Sequence, residues 1–248
     1  MTFVTIVTIV KDHAQGLERT LSSIVAQNYK NWEVVIVVGK SSDSSLKIAE
    51  DFVTSHFGSK VIKQELQGIF EAMNEGLENV RGEFVWFMNA GDTFANTLAL
   101  EAAVQEMNHT NVGLIIGGYE IEGESKIYSY DRKTISAVSF AFSRRGGCHQ
   151  AMLFRASEVR KFHGYDPQYR VNSDFDLVLK VIKSSGGLRV PDVYASIEPG
   201  GVADQNLFQV HSEKHAARKE FFGKYSPVIV LSLLWTLAAR LKIVLKKL

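Results

Sequence analysis

The chain has one cysteine, Cys148, in 248 residues. A lone thiol excludes an internal disulfide and a cysteine-rich zinc site, and it fits a reducing compartment, so a cytosolic protein is expected. Charge of one sign is also scarce, since 28 basic and 27 acidic residues leave a net charge of +1. No global field is available to attract nucleic acid, and an anionic partner would have to be met at a local site. The amino terminus, Met1-Thr-Phe-Val-Thr-Ile-Val-Thr-Ile-Val10, carries neither a basic leader nor a small-residue cleavage site. It reads as a first strand rather than a signal peptide. Internal repeats and low-complexity linkers are absent, and the four prolines, at 167, 191, 199 and 227, all fall in the second half.

Long apolar runs are missing too. After Ser226-Pro227, a cap and first helical residue, Val228 to Ala239 is uncharged, and Arg240, Lys242, Lys246 and Lys247 follow. That run is shorter than the roughly 20 residues a spanning helix needs. The segment 226–248 is therefore expected as an interfacial helix on an anionic cytoplasmic leaflet, with packing on the domain or on a partner subunit as the other reading.

A hydrophobic fraction of 46% is enough for one sizeable core. Its pattern alternates β-branched runs with helical periodicity. Strands are expected at 3–10, 32–38, 60–63, 83–88 and 113–118, with helices at 16–27, 44–56, 68–79 and 97–107 between them. Strands separated by helices imply right-handed βαβ units and a mostly parallel central sheet flanked by helices. Beyond Tyr119 the pattern is less regular: a hairpin over 120–130, a loop through Arg144-Arg-Gly-Gly147, a strand at 151–154, a helix at 156–162 and another from about Asn172. The organisation expected is one α/β domain over 1–225, with 1–118 in a nucleotide-binding layout and 119–225 as a second, less regular half, then the terminal helix 226–248.

Two constellations could carry chemistry. In Gly82-Glu-Phe-Val-Trp-Phe-Met-Asn-Ala-Gly-Asp92 an apolar strand ends in a polar turn. This places Asp92 at a strand's carboxyl end, where open α/β sheets bind ligands. A hard divalent cation needs only one or two protein carboxylates when substrate phosphates complete its shell; a plain turn with Asp92 capping through Thr93 is the blander reading. The start of the helix at Gly68 offers unpaired N–H groups of the kind that attract phosphate, with Glu71 and Asn74 near that face or merely orienting neighbouring turns. In Tyr169-Arg-Val-Asn-Ser-Asp-Phe-Asp-Leu177, Asp174 and Asp176 open an amphipathic helix, where acidic residues ordinarily serve as dipole partners. Cys148-His149 invites a thiol–imidazole reading, but adjacent residues on a strand point to opposite faces.

The segments Gly68-Ile-Phe-Glu-Ala-Met-Asn74 and Asn89-Ala90-Gly91-Asp92 together resemble family 2 glycosyltransferases, whose sugar-nucleotide site has a Gly-Ile-Tyr-Asp-Ala-Met-Asn-like helix start followed by a strand ending in Asp-x-Asp or Asn-x-Gly-Asp. The likeness runs over roughly residues 3 to 205 with four motifs in matching order. It implies the GT-A nucleotide-sugar fold and an inverting transfer from a nucleoside-diphosphate sugar to a saccharide or lipid-linked saccharide, at the membrane's cytoplasmic face.

By the same resemblance Asp92 is the ligand of Mg2+ or Mn2+. The strand-end segment Thr8-Ile-Val10-Lys-Asp12 receives the base, and Asp174 is the catalytic base, with Asp176 structural or beside the acceptor. His149 and Gln150, in Cys-His-Gln, lie beside acceptor and diphosphate, and Gly200-Gly201 belongs to a loop over the donor phosphates. Three departures accompany the match: Gly91 stands at the motif's middle acidic position, Val38 at its base-reading aspartate, and Leu66-Gln67 where relatives have Asp-Lys. Of the rival classes, a sugar nucleotidyltransferase would need a Gly-rich basic loop that Val10-Lys-Asp-His13 lacks. A non-catalytic binding module would have no need of both Asp92 and Asp174.

Overall fold

The computed structural model describes residues 2–143, 147–224 and 226–245; the expected loop residues Arg144 to Gly146 and the basic Lys246 and Lys247 lie outside the described residues. The first half alternates as its periodicity dictates: β1 (Val4–Val10), α1 (Ala14–Val25), β2 (Trp32–Val38), α2 (Ser45–Ser55), β3 (Lys60–Lys63), α3 (Ile69–Glu78) and β4 (Phe84–Phe87). A short β5 (Thr93–Phe94) precedes α4 (Ala99–Asn108) and β6 (Leu114–Ile121). The expected hairpin is present, with β6 pairing antiparallel to β7 (Ile127–Tyr128) through Tyr119↔Tyr128 and Glu120↔Ile127. Then come β8 (Lys133–Ile135), α5 (Ala137–Ala141), β9 (Met152–Arg155), α6 (Ala156–Lys161), α7 (Ser173–Ser185), β10 (Gly187–Ile197), α8 (Val202–Gln205), α9 (Leu207–Phe222) and α10 (Pro227–Leu245).

The sheet runs β3-β2-β1-β4-β9-β6-β10-β5, with β7 attached to β6 and β8 to β10. Each of β1 to β3 is followed by a crossover helix, so the block β3-β2-β1-β4 is parallel throughout. Beyond it the sheet is mixed: β9 enters antiparallel to both β4 and β6, and β10 is parallel to β6.

Alternation along the strands builds two cores. Phe84, Trp86 and Met88 face α1, α2 and α4, whereas Val85 and Phe87 face α3 and α7. A Cβ on Gly76 would stand 2.4 Å from Val7 Cγ1, so this glycine lets α3 lie closely on β1. At the lower edge Glu33 is buried and paired with Arg81 and Thr5 Oγ1, which satisfies a charge the sheet would otherwise bury alone.

Two long elements had no assignment from periodicity. β10 is an 11-residue strand whose register shifts between Arg189 and Ala195, which breaks its alternation. α9 spans 16 residues over the basic segment Lys214 to Lys219. It lies between α7 and α10 and so carries contacts on opposite sides rather than one apolar stripe.

Candidate active site

The turn after β4 is tied down from both sides. Met88 and Ala90 donate backbone N–H bonds to Val7 and Ile9 of β1 at 3.0 and 3.1 Å, and Asp92 N–H closes on the Asn89 carbonyl at 3.1 Å. From α1, Thr20 Oγ1 accepts the Gly91 amide at 3.0 Å and donates to the Asp92 carbonyl at 2.6 Å. Gly91 has φ +103°, and a Cβ there would lie 2.2 Å from Glu198 Oε2. The positive φ strains any side chain at this middle position, and an acidic one would also have to displace the Glu198 carboxylate.

Asp92 is only 6% exposed. Its Oδ2 accepts Gln150 Nε2 at 2.7 Å and its Oδ1 accepts the Glu198 amide at 3.0 Å. Burial raises its pKa to about 6, against the lowering effect of those two donors and of His149. Gln150 is itself fixed: its Oε1 accepts the Cys148 thiol at 2.7 Å, and its carbonyl accepts the indole N–H of buried Trp86 at 2.7 Å. The thiol therefore orients an amide rather than pairing with His149, which lies in a 3₁₀ turn (His149–Ala151) and not on the expected strand.

Beside Asp92, Asn89 Oδ1 is buried without a hydrogen-bond partner. An unpaired amide oxygen and a buried carboxylate in one tight turn are oxygen donors of the kind a hard divalent cation takes. Among the described residues no group of three or more His, Cys, Asp or Glu side chains could hold a metal by themselves. Asn89 and Asp92 thus fit a cation that shares its shell with a phosphate ligand and water.

His149 links this turn to the second constellation. Its Nε2 lies 3.4 Å from Asn89 Nδ2, and its Nδ1 lies 3.7 Å from Asp174 Oδ2 at the start of α7. Asp174 remains 28% exposed. Desolvation opposes its charge, but His149, Lys214 and the Phe175 amide outweigh it and hold its pKa below the usual carboxylate range. Asp174 is accordingly ionised at neutral pH. Asp176, two residues on, is buried, paired with Lys180 at 2.5 Å, and raised in pKa chiefly by burial. It serves the fold of α7 and is not brought to the Asn89–Asp174 cluster by any bond.

Several expected donor-side residues are occupied elsewhere. Val10 and Val38 are buried in the core, with their carbonyls accepting Gly39 and Gln64 amides. Thr8 is buried within β1. Asp12, at φ +48°, accepts Ser42 N and Oγ at 2.6 and 3.0 Å and so braces the loop after β2. Outside that set, Asp43 accepts Ser45 N and Ala14 N at 3.0 and 2.8 Å, bracing two helix starts. Asn74 pairs with both backbone groups of Tyr165, at 2.7 and 2.8 Å, which is the turn-orienting role. Glu71 folds back over Gly68 (φ +137°), where it fills the place a Cβ would take.

Sequence reasoning missed Glu198, His13 and Arg19. Glu198 follows β10; its carboxylate meets His13 Nε2 at 2.7 Å and Arg19 at 2.9 Å, and Arg19 also reaches the Gly91 carbonyl at 3.0 Å. These residues and Gly16 border a cleft of about 110 Å³. The available signal was the acidic residue before Pro199-Gly-Gly201 at a strand end. Glu213 and Lys214 on α9 were also missed as individuals. Glu213 accepts the amides of Arg170, Val171 and Asn172, each at 2.9 Å, and so holds the residues that lead into α7. Lys214 adds its charge near Asp174 while stacking 5.3 Å over Phe175. Nothing local in the sequence points to either contact.

A mixed sheet with helices on both faces and a polar turn at the β4 end is the GT-A arrangement, and solved structures show it. Staphylococcus aureus TarS in complex with UDP-GlcNAc superposes with a TM-score of 0.70 at 15% identity, covering 88% of this chain and 66% of that one. Mannosyltransferase PcManGT from Pyrobaculum calidifontis, in complex with GDP-Man and Mn2+, gives 0.66 at 16% identity over 99% of this chain and 79% of that one. The sequence profile described as Glycosyl transferase family 2 matches residues 5–165, and the chain belongs to that family. Glycosyltransferase AglE of Haloferax volcanii is 27% identical over 176 residues, 68% of this chain and 58% of AglE. A PGL/p-HBAD biosynthesis glycosyltransferase of Mycobacterium tuberculosis is 29% identical over 174 residues, 67% of this chain and 64% of that enzyme. The match thus spans under two thirds of either relative.

Proposed function

We propose that this chain is an inverting, metal-dependent glycosyltransferase that moves a sugar from a nucleoside-diphosphate sugar to a saccharide acceptor, lipid-linked and met at the cytoplasmic face of the membrane, in cell-surface polysaccharide synthesis. The observation that carries this reading is the path Asn89–His149–Asp174. It sets an ionised, partly exposed carboxylate across one imidazole from the turn that bears Asp92. Residues 1–118 then form the donor half, and 119–225 supply the acceptor side.

Asp174 removes the proton from an acceptor hydroxyl, and that oxygen attacks the anomeric carbon as the bond to the donor phosphate oxygen breaks. One displacement on one carbon inverts its configuration and needs no enzyme nucleophile. His149 orients Asp174 and keeps it charged. A base so placed contributes about 10²- to 10⁴-fold. Mg2+ or Mn2+, held by Asp92 and Asn89 Oδ1, would supply Lewis-acid stabilisation of the departing diphosphate. TarS with UDP-GlcNAc and PcManGT with GDP-Man and Mn2+ support the donor class and the cation.

The test is nucleoside-diphosphate release from UDP-, GDP- and dTDP-sugars with Mg2+ or Mn2+, in wild type, Asp92→Ala and Asp174→Asn. One donor should turn over, and Asp174→Asn should lose activity by about 10²-fold or more while still binding that donor. A chain that binds none of the three donors would overturn the proposal.

A further inference from the structure

The helix α10 packs with its polar side inward. Ser232 Oγ lies 2.9 Å from His215 Nδ1, Thr236 Oγ1 reaches the His211 carbonyl at 3.4 Å, and Arg240 bonds Ser212 Oγ, so α9 takes up the polar stripe. The opposite stripe is apolar and open: Val230, Leu231, Leu234, Leu237, Leu241 and Leu245 are each more than half exposed. Their spacing places them on one helical face. At the start of α9, Phe208, under the Arg240 guanidinium at 4.2 Å, and Leu207 are also exposed. A patch of this extent is not the ordinary surface of a solitary soluble domain.

Charge identifies what covers it. Residues 207–248 hold eight Lys and Arg against only Glu213 and Glu220, a net +6; residues 1–206, with twenty basic and twenty-five acidic residues, carry −5. The near-neutral whole conceals a cationic end to the chain: Lys214 and Arg218 are turned toward the domain, whereas Lys219 and Lys224 are exposed. A second copy apposed face to face would set +6 against +6, which disfavours that occupant. Among the described residues no helix is long and apolar enough to cross a membrane.

We propose that the α9–α10 face docks flat on an anionic lipid bilayer, with its leucine stripe in the interfacial layer and the basic end of the chain drawn to the headgroups. The exposed Trp235 stands beside this stripe, at the depth where indoles collect. The inner side of the same α9 carries Glu213, which holds the residues leading to Asp174. Docking therefore brings the acceptor side of the cleft close to the lipid plane. The orientation deepens the lipid-linked acceptor reading and rests on it; the docking itself does not.

The test is flotation of the full chain with vesicles of equimolar phosphatidylcholine and phosphatidylglycerol, against phosphatidylcholine alone. Binding should require phosphatidylglycerol, weaken as salt rises, and shift Trp235 emission to the blue. Leu234→Glu/Leu241→Glu should weaken partitioning by about tenfold or more with thermal melting and donor binding unchanged. Equal flotation of this variant, or no flotation of the wild type, would overturn the proposal. So would a salt-stable dimer in light scattering that the variant dissociates, because the face would then belong to a second copy. Donor turnover measured without lipid judges the transferase reading separately.

Discussion

The parallel block β3-β2-β1-β4 and the corner where α7 meets α9 hold their polar groups by different means. In the block, nearly every strand-end group is satisfied by a neighbouring loop: Asp12 by Ser42, Asp43 by Ser45 and Ala14, and the Asn89 to Asp92 turn by β1 and Thr20. The α7 corner is instead held from α9, chiefly by one buried glutamate, with Asn172 Nδ2 donating to the Val210 carbonyl and the Tyr169 hydroxyl to Glu220. Glu213 binds three successive amides ahead of Asp174, and Gln209 completes its shell at 2.7 Å. The difference teaches that the parallel block is braced by several separate loops, whereas the approach to the proposed base is held from one helix, α9, chiefly by Glu213.

If that contrast is right, Glu213→Ala has the largest effect on stability. Removal of four hydrogen bonds, three of them to buried or part-buried amides, should cost about 3 kcal/mol in denaturant unfolding. These amides and Gln209 hold the Glu213 pKa below the usual range against burial. The stabilisation is therefore present above the unfolded-state value and is lost only as pH falls through the lowered folded one. Asn74→Ala, which removes two bonds to Tyr165, should cost about 1–2 kcal/mol and leave donor KM unchanged. Were Asn74→Ala as damaging as Glu213→Ala, the proposed asymmetry would be gone.

Asp92 sharpens the comparison through pH. Burial raises its pKa to about 6, so the folded state disfavours its charge, and the penalty develops as pH rises from the ordinary aspartate range to about 6. A cation offsets that penalty only when the carboxylate is ionised. Mn2+ with a nucleoside diphosphate should therefore raise Tm clearly at pH 8, and the apparent affinity should fall about tenfold per pH unit below about 6. Asp92→Ala should abolish the shift at both ends, as differential scanning fluorimetry would show.

The smallest effect is predicted at His149. It helps hold Asp174 below the usual carboxylate range, so His149→Ala should move the acid limb of kcat/KM upward, by about one unit at most. A shift in the other direction would remove His149 from its proposed role.

Short-range periodicity made much of this protein legible. The strands 32–38 and 60–63 stand where alternation placed them, and helices α1 to α4 differ from expectation by two residues or fewer at either end. The Asp92 turn was visible because a polar turn ends an apolar strand there, whereas the acidic start of α7 reads as ordinary capping and stood out only through the family resemblance. Periods of 2 and 3.6 are set by where each residue's own Cβ points, so a window of a dozen residues contains them. Partnership was not visible. That Asn74 and Asp12 brace turns, that Glu198 meets His13 from 185 residues away, and that Glu213 supports the approach to Asp174 are outcomes of packing between distant elements. The terminal helix shows the same division. Its apolar run and basic end are properties of the sequence, but which stripe is open was decided only when α9 took the polar one, because a hydrogen-bonding face goes to whichever neighbour can satisfy it.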